Sequence, residues 1–438
     1  MQGSESTKYR FAFWSFGILV FIAILLGSLA AIYKYNNQIP DLKIPTHSVP
    51  KDNALDYYVR SSAMLHGLKG PASNVYPFEE WTNAELRYWY REAQPAIAVA
   101  RMGLTKPCVQ PPIRRNGDVD YFTAYNRSRE TARTLLGASY ACYRLGEYGK
   151  AADNCFDGAE IGAGFSRGGV VITSLVAYNI FRTGVDYLDE VLPKLNAPEL
   201  QTAARRLETI KKKVRPWSEV VREEGYSSLA SEIQLLKSAS PKDMCSTPGW
   251  MTPGAFSSPA TRPTVTDISE GISFVFRNKR RMVTADQRFY EQLEKEAAEP
   301  YGPRSKVIPG SVFASDNIIT ARATHVTMLA AIEVLRAYVA VLRYHKVTGR
   351  YPKTLGKLVP RYLPSVPVDP FGGATRPPLR YRLKGSSFLL YSIGSDLQDD
   401  GGKPTLPGRL STPGDIVAGE MFERYAPPRP KDHKDLPE

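Results

Sequence analysis

Three observations predict an N-terminal transmembrane helix, an all-α helical-hairpin domain and then a small α+β domain with an antiparallel sheet. Residues 11–33 carry no charged side chain, and residues 52–237 repeat apolar positions at helical spacing. Residues 317–420 contain one long apolar helix followed by turns and two short strands. The chain has 438 residues, which fits an anchor and two globular bodies because a domain usually has about 150 residues.

Residues 11–33 predict a membrane span. At about 1.5 Å per residue, these 23 residues are long enough to cross a hydrocarbon core of about 30 Å. Trp14 near one end and Tyr33 at the other fit the aromatic belts of membrane interfaces. A cleaved signal peptide is the alternative, because the small residues at 28–30 suit a leader peptidase, but its apolar region is usually only about 7 to 15 residues long. We expect an uncleaved anchor after a short cytoplasmic tail, residues 1–10.

The other boundaries follow composition. Prolines in a polar stretch predict an extended stalk after the anchor, and a segment rich in proline, serine, glycine and threonine predicts a linker between the two bodies. The predicted segments are a stalk at 34–51, a helical domain at 52–237, a linker or long loop at 238–284, a helix and connector at 285–316, the α+β domain at 317–420 and a disordered tail at 421–438.

One helical hairpin carries a repeat signature. Gly146, Tyr148 and Ala151 match the turn of a tetratricopeptide (TPR) repeat. No second copy follows about 34 residues later, although a repeat array needs about three stacked copies. We therefore expect a generic helical-hairpin bundle, and keep a helical-repeat, TPR-like peptide-binding adaptor as the alternative.

The formal net charge of +13 comes from basic residues that are scattered along the chain. They are densest at 205–215 and 277–281, which we interpret as solvated helical faces or a lipid-proximal surface. We expect no nucleic-acid partner, because nucleic-acid sites concentrate their basic residues on one face.

Four cysteines show no CxxC spacing and no companion histidines, which argues against a zinc site. In an oxidising compartment their even number permits two disulfides. Cys142 with Cys155, on the two arms of a predicted hairpin, is one candidate pair, and Cys108 with Cys245 is the other. Free buried thiols are the alternative.

The long C-terminal helix, predicted over 317–346, is apolar on most of its surface, so other elements must cover it. Glu333, Arg336 and Arg343 mark one stripe along it that we predict to be solvated. A sheet is the expected cover. Two short strand-like segments on either side of Gly385 predict its hairpin, because glycine tolerates the positive φ of such a turn.

The turns after this helix occur in one fixed order, and that order resembles the globular domain of type II secretion major (G-type) pseudopilins. The resemblance covers about residues 317–420 and implies a pilin-like α+β domain. The matching residues are Gly349, Arg350, Tyr351, Pro352, Leu363, Pro364, Asp369, Pro370, Gly372, Tyr391, Ser392, Gly394, Asp396 and Asp415.

The resemblance also implies a calcium site. In those pseudopilins the loop after the tyrosine-serine strand binds Ca²⁺ through aspartates and main-chain carbonyls, and the positions here are Asp396, Asp399, Asp400 and Asp415. Calcium prefers such hard oxygen ligands, and an ordinary solvated loop is the alternative. The predicted span lacks the family's glutamate, and residues 34–316 separate the span from the head, so we do not expect a pilus subunit.

A catalytic site has weak support in the sequence. Ser166 lies in a GxSxG pattern, but the preceding residues are helical rather than a buried strand, so a hydrolase that uses Ser166 is only a second alternative. His325 and His345 lie on the C-terminal helix or at its end. The adjacent carboxylates Glu223 and Glu224 are interpreted as solvated.

These features predict a non-enzymatic, membrane-anchored bacterial envelope protein with a pseudopilin-like head that mediates protein-protein contacts, related to type II secretion or pilus-like assembly. We expect a single-pass protein of the inner (cytoplasmic) membrane, with the N-terminus inside and the body extracytoplasmic. The expected partners are membrane lipid through residues 11–33 and envelope or secretion proteins, with homo-oligomer formation as a further option. Ca²⁺ is the candidate cofactor.

Overall fold

The structure, a computed structural model, describes residues 3–65, 81–113, 121–238, 278–302, 315–404 and 414–420. This described part is mostly helical and contains one three-stranded antiparallel sheet, which confirms the mostly helical class with a small sheet. The helices are α1 (Gly3–Asn37), α2 (Ala54–Met64), α3 (Asn83–Leu104), α4 (Tyr121–Arg144), α5 (Tyr148–Gly164), α6 (Val171–Val185), α7 (Leu188–Val191), α8 (Ala197–Lys213), α9 (Trp217–Ser238), α10 (Lys279–Ala298) and α11 (Ser315–Thr348). The strands are β1 (Arg380–Lys384), β2 (Ser387–Ser392) and β3 (Ile416–Val417).

Helix α1 contains the predicted apolar segment. Phe16–Asn37 has a mean hydropathy of 2.5, and none of its most apolar window is buried. By length and composition, this helix is able to cross a membrane, as a membrane anchor or a signal sequence does. Ile318–Thr348 in α11 is also apolar, with a mean hydropathy of 1.6, but 89% of its window is buried, as in the core helix of a soluble domain.

The chain divides into two compact units. The first unit contains Met1–Pro45 and Ser228–Phe289, and the second contains Thr46–Ser227 and Tyr290–Glu438. The domain boundaries expected from the sequence remain predictions. Most of the predicted linker, 238–284, lies outside the described residues.

In the first unit, the segment that follows α1 packs against two helices. It has no regular secondary structure, and its apolar side chains Ile39, Leu42 and Ile44 lie against Leu229 and Val283. Residues 39–44 of the predicted stalk therefore pack into a small apolar cluster with α9 and α10.

In the second unit, α5 and α6 pack so closely that only glycine fits at two contact points. A Cβ atom on Gly162 would lie 2.3 Å from the backbone nitrogen of Phe181, and one on Gly184 would lie 2.1 Å from that of Ala159. The turn before α5 has Gly146 at φ +78°, a left-handed conformation that glycine adopts without strain. Glycines thus set the distance between neighbouring helices of the bundle.

Helix α11 is the centre of the second unit. It packs against α6 and α8 of the helical bundle, and also against β2 and β3 of the sheet. Its residues are almost all buried from Ala330 to Leu342. The predicted sheet therefore covers only part of this helix, and the bundle covers the rest.

The charged stripe predicted on α11 is not solvated. Glu333 and Arg336 are each only 7% exposed, whereas Arg343 is half-buried. Arg336 donates to Glu208 of α8 at 2.8 Å (Nε to Oε1) and to Glu333 at 2.5 Å, and Lys211 of α8 lies 2.6 Å from Glu333. The prediction was wrong because the compensating charges lie on α8, more than a hundred residues earlier in the chain.

The sheet has the expected hairpin. Strands β1 and β2 pair antiparallel with Tyr381 opposite Leu390, and Gly385 has φ +58° in the turn. The first strand was predicted one residue too early at both ends, at 379–383, and the second one residue too long at its C-terminal end, at 387–393. The short strand β3, which the sequence did not indicate, completes the order β1-β2-β3.

The predicted disulfide between Cys142 and Cys155 is wrong, and the free-thiol alternative is observed. Cys155 Sγ lies 3.0 Å from Ser139 Oγ, and both cysteines are fully buried. Burial raises the pKa of Cys155 to about 12 and that of Cys142 to about 11, so both thiols stay protonated near neutral pH. Cys108 is a free thiol as well, and Cys245 lies outside the described residues.

Two carboxyl groups face each other in the first unit. Burial and the charge of Asp286 on α10 raise the pKa of Glu232 on α9 to about 7. The pKa of Asp286 is also raised, chiefly by burial. The contact between α9 and α10 is therefore most favourable when this pair carries a proton.

We predict that Arg336→Ala lowers the free energy of unfolding by about 3 to 5 kcal/mol, because it leaves the buried Glu333 without its guanidinium partner. Chemical denaturation of the full chain measures this loss. Arg343→Ala is the matched control on the same helix. Its guanidinium lies 5.5 Å from the Tyr362 ring, so we expect a loss of about 1 kcal/mol or less. Equal losses for the two variants would contradict the central role of the Arg336 cluster.

We also predict a pH effect from Glu232. Because its folded pKa of about 7 lies above the ordinary 4.5, the protonated pair stabilises the fold fully below about pH 4.5, and this stabilisation is lost as the pH rises through 7. The thermal midpoint of the full chain in detergent, followed from pH 5 to 8, should fall less in Glu232→Gln than in the wild type. Asp41→Asn, an exposed change in the same unit, should leave the wild-type slope unchanged.

Candidate functional site

A buried aspartate organises the C-terminal region of α11 and the sheet. Asp369 is 1% exposed, and its carboxylate accepts hydrogen bonds from Ser392 Oγ at 2.6 Å and from the backbone N–H groups of Phe371 and Ile393 at 3.0 Å. Three donors compensate the loss of hydration of a buried carboxylate. Asp369 thereby holds its own proline-glycine turn against the end of β2.

Asp396 and Asp399, two predicted calcium ligands, lie in the loop that follows β2, and hydrogen bonds hold both carboxylates. Asp396 accepts from the backbone N–H groups of Gln398 at 3.2 Å and Gly414 at 3.0 Å. Asp399 accepts from the Tyr391 hydroxyl at 2.8 Å and from Arg380 Nε at 3.1 Å. These bonds, first of all that from Tyr391, lower the pKa of Asp399.

The other two predicted ligands, Asp400 and Asp415, meet through the backbone. Asp415 is buried, and its Oδ2 atom accepts from the Gly402 N–H at 2.6 Å. The backbone amide of Asp400 also donates to Asp415, and burial raises the pKa of this carboxyl. Asp415 directly precedes β3, and it therefore ties the acidic loop to the start of that strand.

Within the described residues, no three of the acidic, histidine or cysteine side chains lie close enough to hold a metal ion. The carboxylates of Asp396 and Asp399 point to amide, hydroxyl and guanidinium donors instead. Arg380 in particular neutralises Asp399 where a cation would otherwise do so. The described carboxylates thus fit a loop that is stabilised by its own hydrogen bonds, and calcium binding remains a prediction.

Ser166 is placed differently from a hydrolase nucleophile. It follows helix α5 rather than a strand, and it is 1% exposed. Its Oγ atom has no hydrogen-bond partner among the described residues. His325 is buried against Trp217 with a ring-centroid distance of 5.5 Å, and burial lowers its pKa to about 4.

The histidine beside this glycine-rich turn is His47, which sequence reasoning missed. Its Nε2 atom lies 2.8 Å from the carbonyl oxygen of Gln110, and its Nδ1 atom lies 3.6 Å from Glu223. Gly168 lies so close to this ring that a Cβ atom there would come within 2.6 Å of Nε2. His47 joins the segment before α2 to the turn and to α9.

The interpretation of Glu223 and Glu224 as solvated residues was wrong. Glu223 pairs with His47, and Glu224 accepts a hydrogen bond of 2.8 Å from the Val171 N–H at the start of α6. Helix α6 has no side-chain cap of its own, so a carboxylate from α9 occupies the favourable position at its N-terminus. Burial raises the pKa of Glu224.

A second buried ion cluster lies on α5. Asp157 bonds Arg101 of α3 and Arg206 of α8, each at 2.7 Å. Glu160 bonds Arg206 at 3.0 Å and Lys213 at 2.7 Å. The basic residues of 205–215 that were expected to be solvated therefore include Arg206 and Lys213, which neutralise buried carboxylates. The i, i+3 spacing of Asp157 and Glu160 was the available signal.

A cleft of about 790 Å³ opens between the N-terminal ends of α5 and α8. Side chains of both helices line it. Its walls combine apolar and charged groups. They include Tyr148, Lys150, Asp153, Phe156, Asn196 and Glu199.

Comparison with protein-family models, curated proteins and solved structures finds no match for this chain. The resemblance to pseudopilins therefore rests on the order of the motif residues alone.

We predict that Asp396→Ala lowers the free energy of unfolding by about 1 to 2 kcal/mol in a chelating buffer, because two backbone N–H groups lose their acceptor. Glu420→Ala, an exposed carboxylate of the same region, should have no measurable effect. Unchanged stability of Asp396→Ala would contradict the hydrogen-bonding role.

The same variants test calcium. A calcium ion bound to the folded state should raise the thermal midpoint of the full chain at millimolar calcium relative to chelator, and Asp396→Ala should lose that rise. A wild-type midpoint that does not respond to calcium removes the metal from the proposal.

Proposed function

We propose that this chain is a non-enzymatic, membrane-anchored envelope protein whose pilin-like head makes protein contacts, in a system related to type II secretion or pilus-like assembly. The proposed topology is a single span with the N-terminus inside and the body extracytoplasmic. An exposed apolar helix at the N-terminus supports the anchor. A short N-terminal tail before a single early span is the usual signal-anchor arrangement, and it supports the orientation.

The observation that carries the proposal is the packing of the long helix α11 against an antiparallel sheet whose last loop is acidic. Helix α11 contacts β2 and β3, and Asp369 fastens the turn before β1 to the end of β2. This is the order of elements that the resemblance implies. The motif residues Asp369, Ser392, Asp396 and Asp415 lie together in the contacts that close the region.

The head has a surface suited to a partner. Strand β1 is the outer strand of the described sheet, so its outer edge has no strand beside it within that sheet. Leu383 on this strand is 42% exposed, and Arg382 and Lys384 flank it. Flanking charges of this kind protect an edge against unspecific strand pairing while leaving a defined contact surface.

A pilus subunit is not proposed. In pseudopilins one continuous helix runs from the membrane into the head. Here α1 ends at Asn37 and α11 begins at Ser315, with the helical bundle between them in the chain. The head is therefore an attachment to a larger body, which suits contact with an assembly better than polymerisation.

The adaptor function is the second candidate, and the cleft between α5 and α8 favours it. A peptide in this cleft would meet both signs of charge, from Lys150 and Asp153 on α5 and from Glu199 on α8. Nothing within the described residues favours the hydrolase alternative, because the Ser166 hydroxyl is buried.

We predict that a photoreactive amino acid at position 383 crosslinks to envelope or secretion proteins in native membranes. The same label at Thr202 reports on the cleft, and at Met102, which is 53% exposed on α3, it reports background contacts. Mass spectrometry of the adducts identifies the neighbours. Specific adducts from position 383 support the proposal that the head makes protein contacts. Specific adducts from position 202 alone support the peptide-binding adaptor. Equal labelling at positions 383 and 102 would contradict the proposal for the head.

A further inference from the structure

A cluster of cations begins helix α10 in the first unit. Lys279, Arg280 and Arg281 are consecutive, and the two arginines are exposed. Neither an ion pair nor a carboxylate hydrogen bond occupies these three side chains within the described part of the chain. They place three positive charges within the first turn of α10, and we call these residues the α10 cation cluster.

This cluster is held against the end of the apolar helix. Asn278 Nδ2 donates to Asn36 Oδ1 of α1 at 2.6 Å. The Arg280 guanidinium lies 4.9 Å from the centre of the Tyr35 ring, within cation–π distance. Both contacts lie within the first unit, so the fold brings residues from far along the chain to the last turn of α1.

The position along α1 sets the expected environment of the cluster. The apolar segment ends at Tyr33, and the exposed side chains of Tyr33 and Tyr35 suit the headgroup region of a bilayer. An arginine that touches Tyr35 then lies at the same depth as lipid phosphates. This step rests on the proposed membrane anchoring of the chain.

Among the described residues of the first unit, basic side chains outnumber acidic ones around the cluster. After the apolar segment, the acidic residues of the described part are few, and two of them, Glu232 and Asp286, face each other rather than the cluster. The basic residues are Lys34, Lys43, Lys237, Lys279, Arg280, Arg281 and Arg288, against the acidic Asp41, Glu232 and Asp286.

We infer that the α10 cation cluster, with Lys34, binds the phosphate headgroups of anionic phospholipids around the anchor helix. Because the cluster is positively charged, its ligand should be anionic. Because the cluster contacts the end of the apolar helix, the bilayer is the expected source of that ligand. Each lysine or arginine next to an anionic membrane surface makes binding more favourable by about 1 kcal/mol, which is about a fivefold gain in affinity.

The test uses the full chain in lipid nanodiscs made of phosphatidylcholine alone or with added phosphatidylglycerol. Native mass spectrometry after release into detergent counts the retained lipids. The wild type should retain phosphatidylglycerol in preference to phosphatidylcholine. The triple variant Lys279→Gln, Arg280→Gln, Arg281→Gln should lose this preference by at least about tenfold. Added salt should weaken the wild-type preference.

The matched control removes three exposed lysines from the second unit, Lys346→Gln, Lys353→Gln and Lys357→Gln. It changes the net charge equally and should keep the wild-type lipid preference. An equal loss in both variants would show an unspecific charge effect and overturn the inference. A triple cluster variant that is destabilised equally in both lipid mixtures would assign the cluster to folding instead and also overturn it.

The outcomes separate this inference from the proposed function. If the chain does not enter nanodiscs and is extracted from membranes by carbonate, the anchor itself is wrong. If it enters them and retains both lipids equally, only the headgroup site is wrong.

Discussion

The burial of Arg336 is the constraint on which the second unit depends. Helix α11 is apolar around most of its surface, so it is stable only when it is covered on all sides, and no single layer of the described fold does this. The sheet covers one side, and α6 and α8 cover another. The guanidinium of Arg336 fixes the position of α8, because a buried charge is tolerated only beside its partners Glu208 and Glu333. The bundle and the sheet are consequently joined through one helix, and neither completes its core without it.

Local patterns predicted much of this fold. Helical spacing indicated the bundle, and the hairpin around Gly385 followed from a glycine between two strand-like segments. The errors concern charged residues whose partners are distant in sequence. Glu333 and Arg336 looked solvated because their i, i+3 spacing also suits an exposed face, and the balancing Glu208 and Lys211 come from another helix. A single sequence shows that charges are present, but it does not show which of them meet.

The same limit applies to the acidic loop. Clustered aspartates indicate calcium when only composition is considered, since carboxylates repel one another unless a cation intervenes. In the structure their oxygens are used by backbone N–H groups of the loop itself, by the Tyr391 hydroxyl and by Arg380, which enters from the neighbouring strand. Asp369, by contrast, was identified only as a motif residue, yet it accepts three hydrogen bonds at the centre of the region. The order of the motif residues drew attention to these aspartates, and the structure shows which hydrogen bonds each of them accepts.

In the first unit, the fold places basic residues beside the apolar helix although they are far from it in the sequence. Counted along the sequence, the apolar helix is followed only by Lys34 and Lys43, so its two flanks differ little in basic residues. The chain returns to this end some 240 residues later and places Arg280 against Tyr35. Such late residues have little influence on the orientation of a span, because the charges that set topology lie within about 15 to 20 residues of its ends. In our inference they act after folding, at the surface of the bilayer, where cations that have no ion pair among the described residues are most favourable beside anionic groups.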